Sequence, residues 1–274
     1  MKLIASMDEP HTSLYQGDCR EVFPSLHPAQ LDLVVADPPF NQGEAYAEWD
    51  DSREWADYWK FTDGWLSACV DRLAPHGSLW VNCPDPIAAE IVVKLKALGL
   101  VMVNWCVWSF RFGECNRAAF IIGKTHALYF ARSRKGRRWN PDDVLVPSDR
   151  ATKYADKRTR DSATPGRRVP LDVWGSGGDG GENWGRVQGN NRERRKLHPN
   201  QLPEKYMERI VLACSDPGDV VADPFLGSGT TAVVARALGR RFVGCDVSEE
   251  YVRSAAERVR AGAVRVPSGG ADDE

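Results

Sequence analysis

The run Leu31-Asp32-Leu33-Val34-Val35-Ala36-Asp37-Pro38-Pro39-Phe40 decides how the rest of the chain is read. Its apolar, β-branched part has the length of one buried strand, and it stops at a carboxylate, two prolines and an aromatic ring. Each proline holds its own φ near about −65°, and Pro39 also keeps Pro38 out of the helical region. The strand therefore ends in a stiff loop with few donors and free carbonyls. A carboxylate and an aromatic held there can accept hydrogen bonds from an amino group while stacking on a flat ring. A plain Asp-Pro turn is the alternative reading of the same four residues.

Working outward, 13–18 reads as a short strand and 19–26 as a short helix. On the other side, 53–73 reads as a helix whose Trp55, Tyr58, Trp59, Trp65 and Leu66 form an apolar stripe for the core. Residues 77–83 read as the next strand, 86–98 as a helix closed by Gly99, and 100–110 and 125–131 as two further strands. After a middle segment, 203–214 reads as a helix with proline in its first turn. Residues 219–222 and 241–247 read as strands, 230–238 as a helix, and 249–260 as a last helix capped by Ser248. Strands alternating with helices at this spacing specify an α/β protein with a mostly parallel sheet.

A second constellation, Asp223-Pro224-Phe225-Leu226-Gly227-Ser228-Gly229-Thr230-Thr231-Ala232, joins a strand to a helix. Gly227 and Gly229 allow a tight turn and close approach of a ligand, and the helix N-terminus offers free N–H groups. The pattern G-x-G-x-x-A is that of nucleoside-cofactor loops, and Asp246 ends the next strand at a distance suited to ribose hydroxyls. A nicotinamide-dependent oxidoreductase is the natural rival. Only 28 residues follow Asp246 (274 − 246), too few for the second half of a dinucleotide site. A smaller adenosine ligand such as S-adenosylmethionine fits better, and no Walker lysine follows the glycines.

The middle segment changes in texture. From Arg132 to Arg168 there are twelve Lys/Arg against five Asp, with Trp139, Tyr154, Trp174 and Trp184 interleaved in or just beyond the run. Solvated loops account for many charge runs, but basic residues interleaved with aromatics point here to a nucleic-acid surface. The whole chain is nearly neutral (net charge −2), so such a surface has to come from local clustering. Seven scattered cysteines without a C-x-x-C pair argue against a disulfide framework or a zinc site, and no metal site is expected. No apolar run reaches membrane-spanning length and no signal peptide opens the chain, so a cytoplasmic location is expected.

With both constellations in view, the chain resembles the β-class DNA amino-methyltransferases, the N6-adenine and N4-cytosine enzymes, from about 13 to 260. That family places a catalytic D/S-P-P-Y/F near the N-terminus, a target-recognition insertion in the middle and an F-x-G-x-G cofactor loop near the C-terminus. The resemblance implies a circularly permuted Rossmann-like methyltransferase fold: a mostly parallel twisted sheet, helices on both faces, and a loop-rich insertion. It implies a catalytic half at 1–110, a target-recognition insertion at 111–196 (with the strand 125–131 returning to the main sheet), a cofactor-binding half at 197–262 and a disordered tail at 263–274.

Carried onto this sequence, Asp37, Pro38, Pro39 and Phe40 take the catalytic position. Asp18, Asp223, Phe225, Gly227, Ser228, Gly229, Thr230 and Asp246 are expected to hold S-adenosylmethionine. His198-Pro199-Asn200-Gln201-Leu202-Pro203 resembles the family's H-P-T-Q-K-P segment, which adds Asn200 and Gln201. Leu202 replaces that segment's lysine, so at this position the chain departs from what the resemblance implies for the cofactor carboxylate. Arg137, Arg138, Lys153, Arg158, Arg167 and Arg168 are expected to contact DNA phosphates. The implied activity is methylation of an exocyclic amine in double-stranded DNA, N6 of adenine favoured by Asp at 37, with N4 of cytosine as the alternative. A non-catalytic nucleic-acid-binding relic is the reading from another class. A homodimer and a cognate restriction endonuclease are compatible partners.

Overall fold

Along each central strand, successive side chains feed opposite hydrophobic clusters. Leu33 and Val35 belong to one cluster and Val34 and Ala36 to the other, and the same alternation separates Trp80 from Leu79 and Val81, and Val221 from Val220 and Ala222. A strand apolar on both faces has to be covered on both faces, which is why its sequence reads as a continuous apolar run.

The computed structural model describes residues 1–26, 30–111, 113, 117–159, 162–175 and 184–266. The chain begins with β1 (Lys2–Met7), β2 (Thr12–Gln16), α1 (Cys19–Val22), β3 (Leu31–Ala36), α2 (Trp55–Arg72), β4 (Leu73–Cys83), α3 (Asp85–Ala97), β5 (Val101–Ser109) and β6 (Lys124–Ala131). It continues with β7 (Val146–Pro147), α4 (Asp149–Thr152), β8 (Arg167–Arg168), β9 (Val173–Trp174), α5 (Glu204–Cys214), β10 (Val220–Asp223), α6 (Thr230–Ala237), β11 (Arg241–Asp246) and α7 (Glu249–Ala261).

One sheet of nine strands runs in the order β1-β2-β11-β10-β3-β4-β6-β5-β9. The neighbours from β2 through β4 are all parallel, while β6 is antiparallel to both β4 and β5. Residues of α1, α2 and α3 fill one cluster and residues of α5, α6 and α7 the other, so the mostly parallel α/β fold is the one adopted. From β3 the chain moves through α2 to β4 on one side, and from β10 through α6 to β11 on the other. The two crossovers diverge between β3 and β10, and a crevice opens beyond the carboxyl ends of those strands.

Several features differ from the sequence reading. The edge strand β1 carries a weak apolar pattern and was not expected; Leu3 is 52% exposed and only Ala5 of the strand is buried. In the stripe on α2, Tyr58, Trp65 and Leu66 are buried, but Trp55 stands 47% exposed. Of the aromatics interleaved with the basic run, Trp174 and Trp184 are core residues, with Arg209 lying 4.1 Å over the Trp184 ring. The aromatic part of the nucleic-acid argument therefore rests on Tyr154, which is 77% exposed.

The fourth difference is that Arg137 and Arg138 are engaged within the chain. Arg138 is ion-paired with Asp216 and, at 2.8 Å, with Asp219, which precede β10. Arg137 donates to the Tyr129 hydroxyl at 3.1 Å and lies over the Trp139 ring. Arg138 ties the chain after β6 to the α5–β10 connection, at the amino end of β10 and away from the crevice, while Arg137 packs back on β6. Among the described residues no helix is long and apolar enough to cross a membrane. The expected disordered tail starts later than 263, because the Val264 and Arg265 N–H groups bond to Glu204 and Val266 is buried; residues 267–274 lie outside the described residues.

A fully buried ion pair joins Arg258 of α7 to Glu204 of α5 at 2.9 Å. Arg258 also donates to the Ser228 carbonyl and the Thr230 hydroxyl, while Glu204 accepts from the N–H groups of Val264 and Arg265. Removing one partner of such a pair strands the other charge without water. Glu204→Ala is expected to destabilise the fold by about 3–5 kcal/mol, measured by urea unfolding. A loss below about 1 kcal/mol, the range of exposed pairs, would remove this pair from the framework of the glycine loop.

Candidate active site

Beyond the carboxyl ends of β2, β11, β10 and β3 lies a cleft. The Gly17–Cys19 turn, the Asp37–Phe40 loop, the Asp223–Ser228 loop and the Asp246–Ser248 turn converge on it, with Tyr46 and Trp49 from one side and His198, Asn200 and Leu202 from another. The two constellations, nearly 200 residues apart in sequence, face one space. Parallel pairing of Val221 with Leu33 and Ala222 with Val34 is what sets their loops side by side.

The loop after Phe40 is built around the carboxylate of Asp51, which is 2% exposed. It accepts from the backbone N–H groups of Asn41, Gln42 and Glu44. Asn41, at φ +59°, exchanges hydrogen bonds with the backbone of Arg53 in both directions, so its side chain caps the loop. The Tyr58 hydroxyl donates to the Pro39 carbonyl at 3.1 Å. The loop crosses to the other wall, where Tyr46 meets the Asn200 side chain and Ala47 N–H donates to the Tyr251 hydroxyl.

The glycine loop is held from within. Asp223 accepts from the Phe225 N–H at 2.9 Å and from the Thr231 hydroxyl at 2.5 Å, and Asp246 accepts from the N–H groups of Gly227 and Ser248. Gly227 (φ +45°) and Gly229 (φ +76°) lie in the left-handed region. A Cβ on Gly227 would stand 2.7 Å from His198 Nε2, and one on Gly229 2.8 Å from the Ala255 Cβ. Close packing and positive φ both require glycine here.

Of the expected cofactor residues, Asp18, Asn200, Asp223, Phe225, Gly227, Ser228, Thr230 and Asp246 line the cleft. Gly229 lies behind the wall. Gln201 does not line it either: its amide is taken up by the Glu193 carbonyl and the Arg195 N–H, where it braces the segment. Asp37, Pro38, Pro39 and Phe40 all line the cleft. Lys153 pairs with Asp149, Arg158 with Asp156, and Arg167 donates to the Leu145 carbonyl, all on the lobe around the β7–β8 pair. Tyr46, Glu48, Trp49 and Tyr251 also line the cleft and were not expected. The first three follow directly on the Asp-Pro-Pro-Phe loop, which is the signal that could have found them.

The electrostatics are one-sided. Asp18, Asp37, Glu48, Asp223 and Asp246 line the cleft, with no lysine or arginine among its described lining. Burial, with the neighbouring Asp223 charge, pushes Asp37 up to about 7, against the opposing pull of the Asn82 amide. Burial likewise lifts Asp223 and Asp246 to about 6. Burial also opposes ionisation of Asp18, but hydrogen bonds from Arg20 outweigh it and hold that carboxyl below its usual range. His198, half-buried between the Tyr46 and Tyr251 rings, is pushed down to about 4 by the loss of solvent and is neutral at pH 7. A compact cation suits this cleft. A pyrophosphate, facing five carboxylates, does not.

The family described as DNA methylase, of the N6 and N4 type, matches residues 31–257. The chain is 31% identical over 252 residues to the Type II methyltransferase M1.MboII of Moraxella bovis, covering 88% of this chain and 94% of that protein. It is 30% identical over 236 residues to the Type II methyltransferase M.HpaI of Haemophilus parainfluenzae, covering 86% and 70%. Among solved structures, the M1.HpyAVI–SAM complex superposes with a TM-score of 0.63 at 20% identity over 90% of this chain and 98% of that one. The cytosine-N4-specific PvuII DNA methyltransferase superposes with a TM-score of 0.67 at 18% identity over 89% and 85%. At those identities the superpositions carry the fold.

A carboxyl whose pKa rises on folding, from 3.8 to about 7 for Asp37, holds a proton that the unfolded chain releases between those values. Stability therefore falls as pH rises through that window, and the loss is complete above it. Asp37→Asn is expected to stabilise the ligand-free protein by about 2 kcal/mol at pH 8, after allowance for the water that reaches the carboxyl. No gain is expected at pH 4, as read by thermal unfolding at both values. An equal gain at both, or none at pH 8, would contradict the raised ionisation of Asp37.

Proposed function

This chain belongs to the DNA methylase family of N6 and N4 amino-methyltransferases, and on that premise we propose that it transfers a methyl group from S-adenosylmethionine to N6 of adenine in double-stranded DNA. The observation that carries this reading is the single cleft in which the Asp37–Phe40 loop and the Gly227 turn meet. The residues fit the cofactor. The glycine turn leaves room for a nucleoside, Asp246 ends its strand at the ribose distance, and the carboxylate lining favours a cation. S-adenosylmethionine supplies a sulfonium methyl, an electrophile that needs no enzyme nucleophile.

The amine's lone pair is delocalised into the adenine ring, so the free base is a poor nucleophile. Asp37 and the Pro38 carbonyl each accept one amino hydrogen, which draws the nitrogen toward tetrahedral geometry. The base leaves the helix to reach them, at a cost of a few kcal/mol, and Phe40 gives it a face to stack on. With the cofactor bound, the amine held there would take the methyl from the sulfonium, and its extra proton would leave to solvent. Positioning and a preorganised carboxylate do the work.

Residues 111–196 carry target recognition in this reading, with Lys153, Arg158, Arg167 and Arg168 on phosphates and other side chains on base edges. The Type II relatives support a cognate endonuclease as the partner activity. Asp at position 37 favours adenine, following a tendency of the family.

Wild type and Asp37→Ala expressed in a methylation-free host, followed by modification-sensitive sequencing of the host genome, test the proposal. Wild type is expected to leave N6-methyladenine at one recurring sequence. The variant is expected to leave none while binding S-adenosylmethionine within about threefold of wild type, since Asp37 grips the base in the transition state. N4-methylcytosine instead would move the target base, and methylation by the variant would remove Asp37 from the reaction.

A further inference from the structure

Asn82 lies near the end of β4, and its neighbour Val81 pairs with Ala36 in the parallel β3–β4 ladder, which brings Asn82 beside Asp37. The residue is 0% exposed. A primary amide placed there has to match its polar atoms inside the protein. Its Oδ1 accepts a hydrogen bond from the hydroxyl of Tyr206, on α5 and itself 1% exposed. With the oxygen claimed, the NH2 group has to point the other way. That nitrogen makes no hydrogen bond among the described residues; the strand register sets it beside the Asp37 carboxyl, whose ionised form it favours.

Resting on the reading of Asp37 as the group that grips the amine, we propose that Asn82, oriented by Tyr206, is the positioning residue that keeps the Asp37 carboxyl ionised and so an acceptor. A carboxylate accepts through both oxygens, whereas a protonated carboxyl turns one of them into a donor. The acceptor form is opposed by burial and by the Asp223 charge, which reaches it from β10. Cys83 from β4, Tyr46 from the loop after Phe40 and Tyr206 from α5 also stand near it, but burial holds all three protonated and uncharged at neutral pH. Among the described residues, Asn82 is the group that pulls the other way. A polar residue closing a buried strand, bound to a tyrosine 124 residues later, has no use in packing that a leucine would not serve better.

The test is the pH dependence of kcat/KM for DNA methylation at saturating S-adenosylmethionine. The variant replaces both partners by apolar groups of similar shape, Asn82→Leu with Tyr206→Phe, a change that leaves no buried polar atom stranded between them. Its acid limb is expected to move to higher pH by about one unit. At high pH its rate approaches that of wild type, and its cofactor affinity stays near the wild-type value. Should the double variant not fold, Tyr206→Phe alone decides, because it frees the amide to rotate and moves the limb in the same direction. A wild-type acid limb, or a loss of rate equal at all pH values, overturns the role of Asn82. Asp37→Ala assayed alongside separates the two readings: if it remains active, the assignment of Asp37 fails, whereas an inactive Asp37→Ala beside an unmoved limb rejects Asn82 alone.

Discussion

The parallel pairing of β3 with β10 is the constraint on which the site depends. Two strands far apart in sequence run side by side, and their crossovers leave in opposite directions, α2 to one side and α6 to the other. The loops these two strands carry meet over the crevice between their carboxyl ends. Stiffness is supplied separately to each loop, by the two prolines and Asp51 on one and by Asp223, Asp246 and the Arg258–Glu204 pair on the other. A rigid pair of loops on a rigid pair of strands is what in-line group transfer requires, because small misplacements of the reacting atoms are costly in rate.

The second consequence is a store of buried negative charge. Asp37, Asp223 and Asp246 are each lifted above the ordinary carboxylate range by burial, in a cleft whose described lining holds no lysine or arginine. Such an arrangement weakens the empty protein at neutral pH and is relieved by a cationic ligand. The same charge that makes the cleft hospitable to a sulfonium makes it hostile to a pyrophosphate. This separates the cleft from dinucleotide sites, which share the glycine turn and the distal acid but not the ring of carboxylates.

Much of this was legible in the sequence because the features are local. An apolar run such as Leu31–Ala36 announces a strand buried on both faces, and glycines between a strand and a helix announce a tight turn. What the sequence concealed depends on residues far away along the chain. Arg137 and Arg138 look like phosphate ligands until Asp216, Asp219 and Tyr129 are found against them. Trp174 and Trp184 look like a stacking surface until the sheet and Arg209 close over them. Gln201 lies within a cofactor-like motif yet spends its amide on the backbone of Glu193 and Arg195. A charged or aromatic side chain reads the same whether its partner is DNA or a distant part of its own chain.

The central claim is that one cleft holds the methyl donor and the extruded base together. The most direct measurement is the structure and affinity of a complex with a bisubstrate analogue, an adenosine bearing at its 5′ side a short linker to N6 of a second adenine. The analogue is expected to bind well above the affinity of either half, with its nucleoside at Gly227 and Asp246 and its second ring on Phe40, the linking nitrogen at Asp37. An affinity no better than that of adenosine alone, with the second ring projecting into solvent away from Phe40, would contradict the claim.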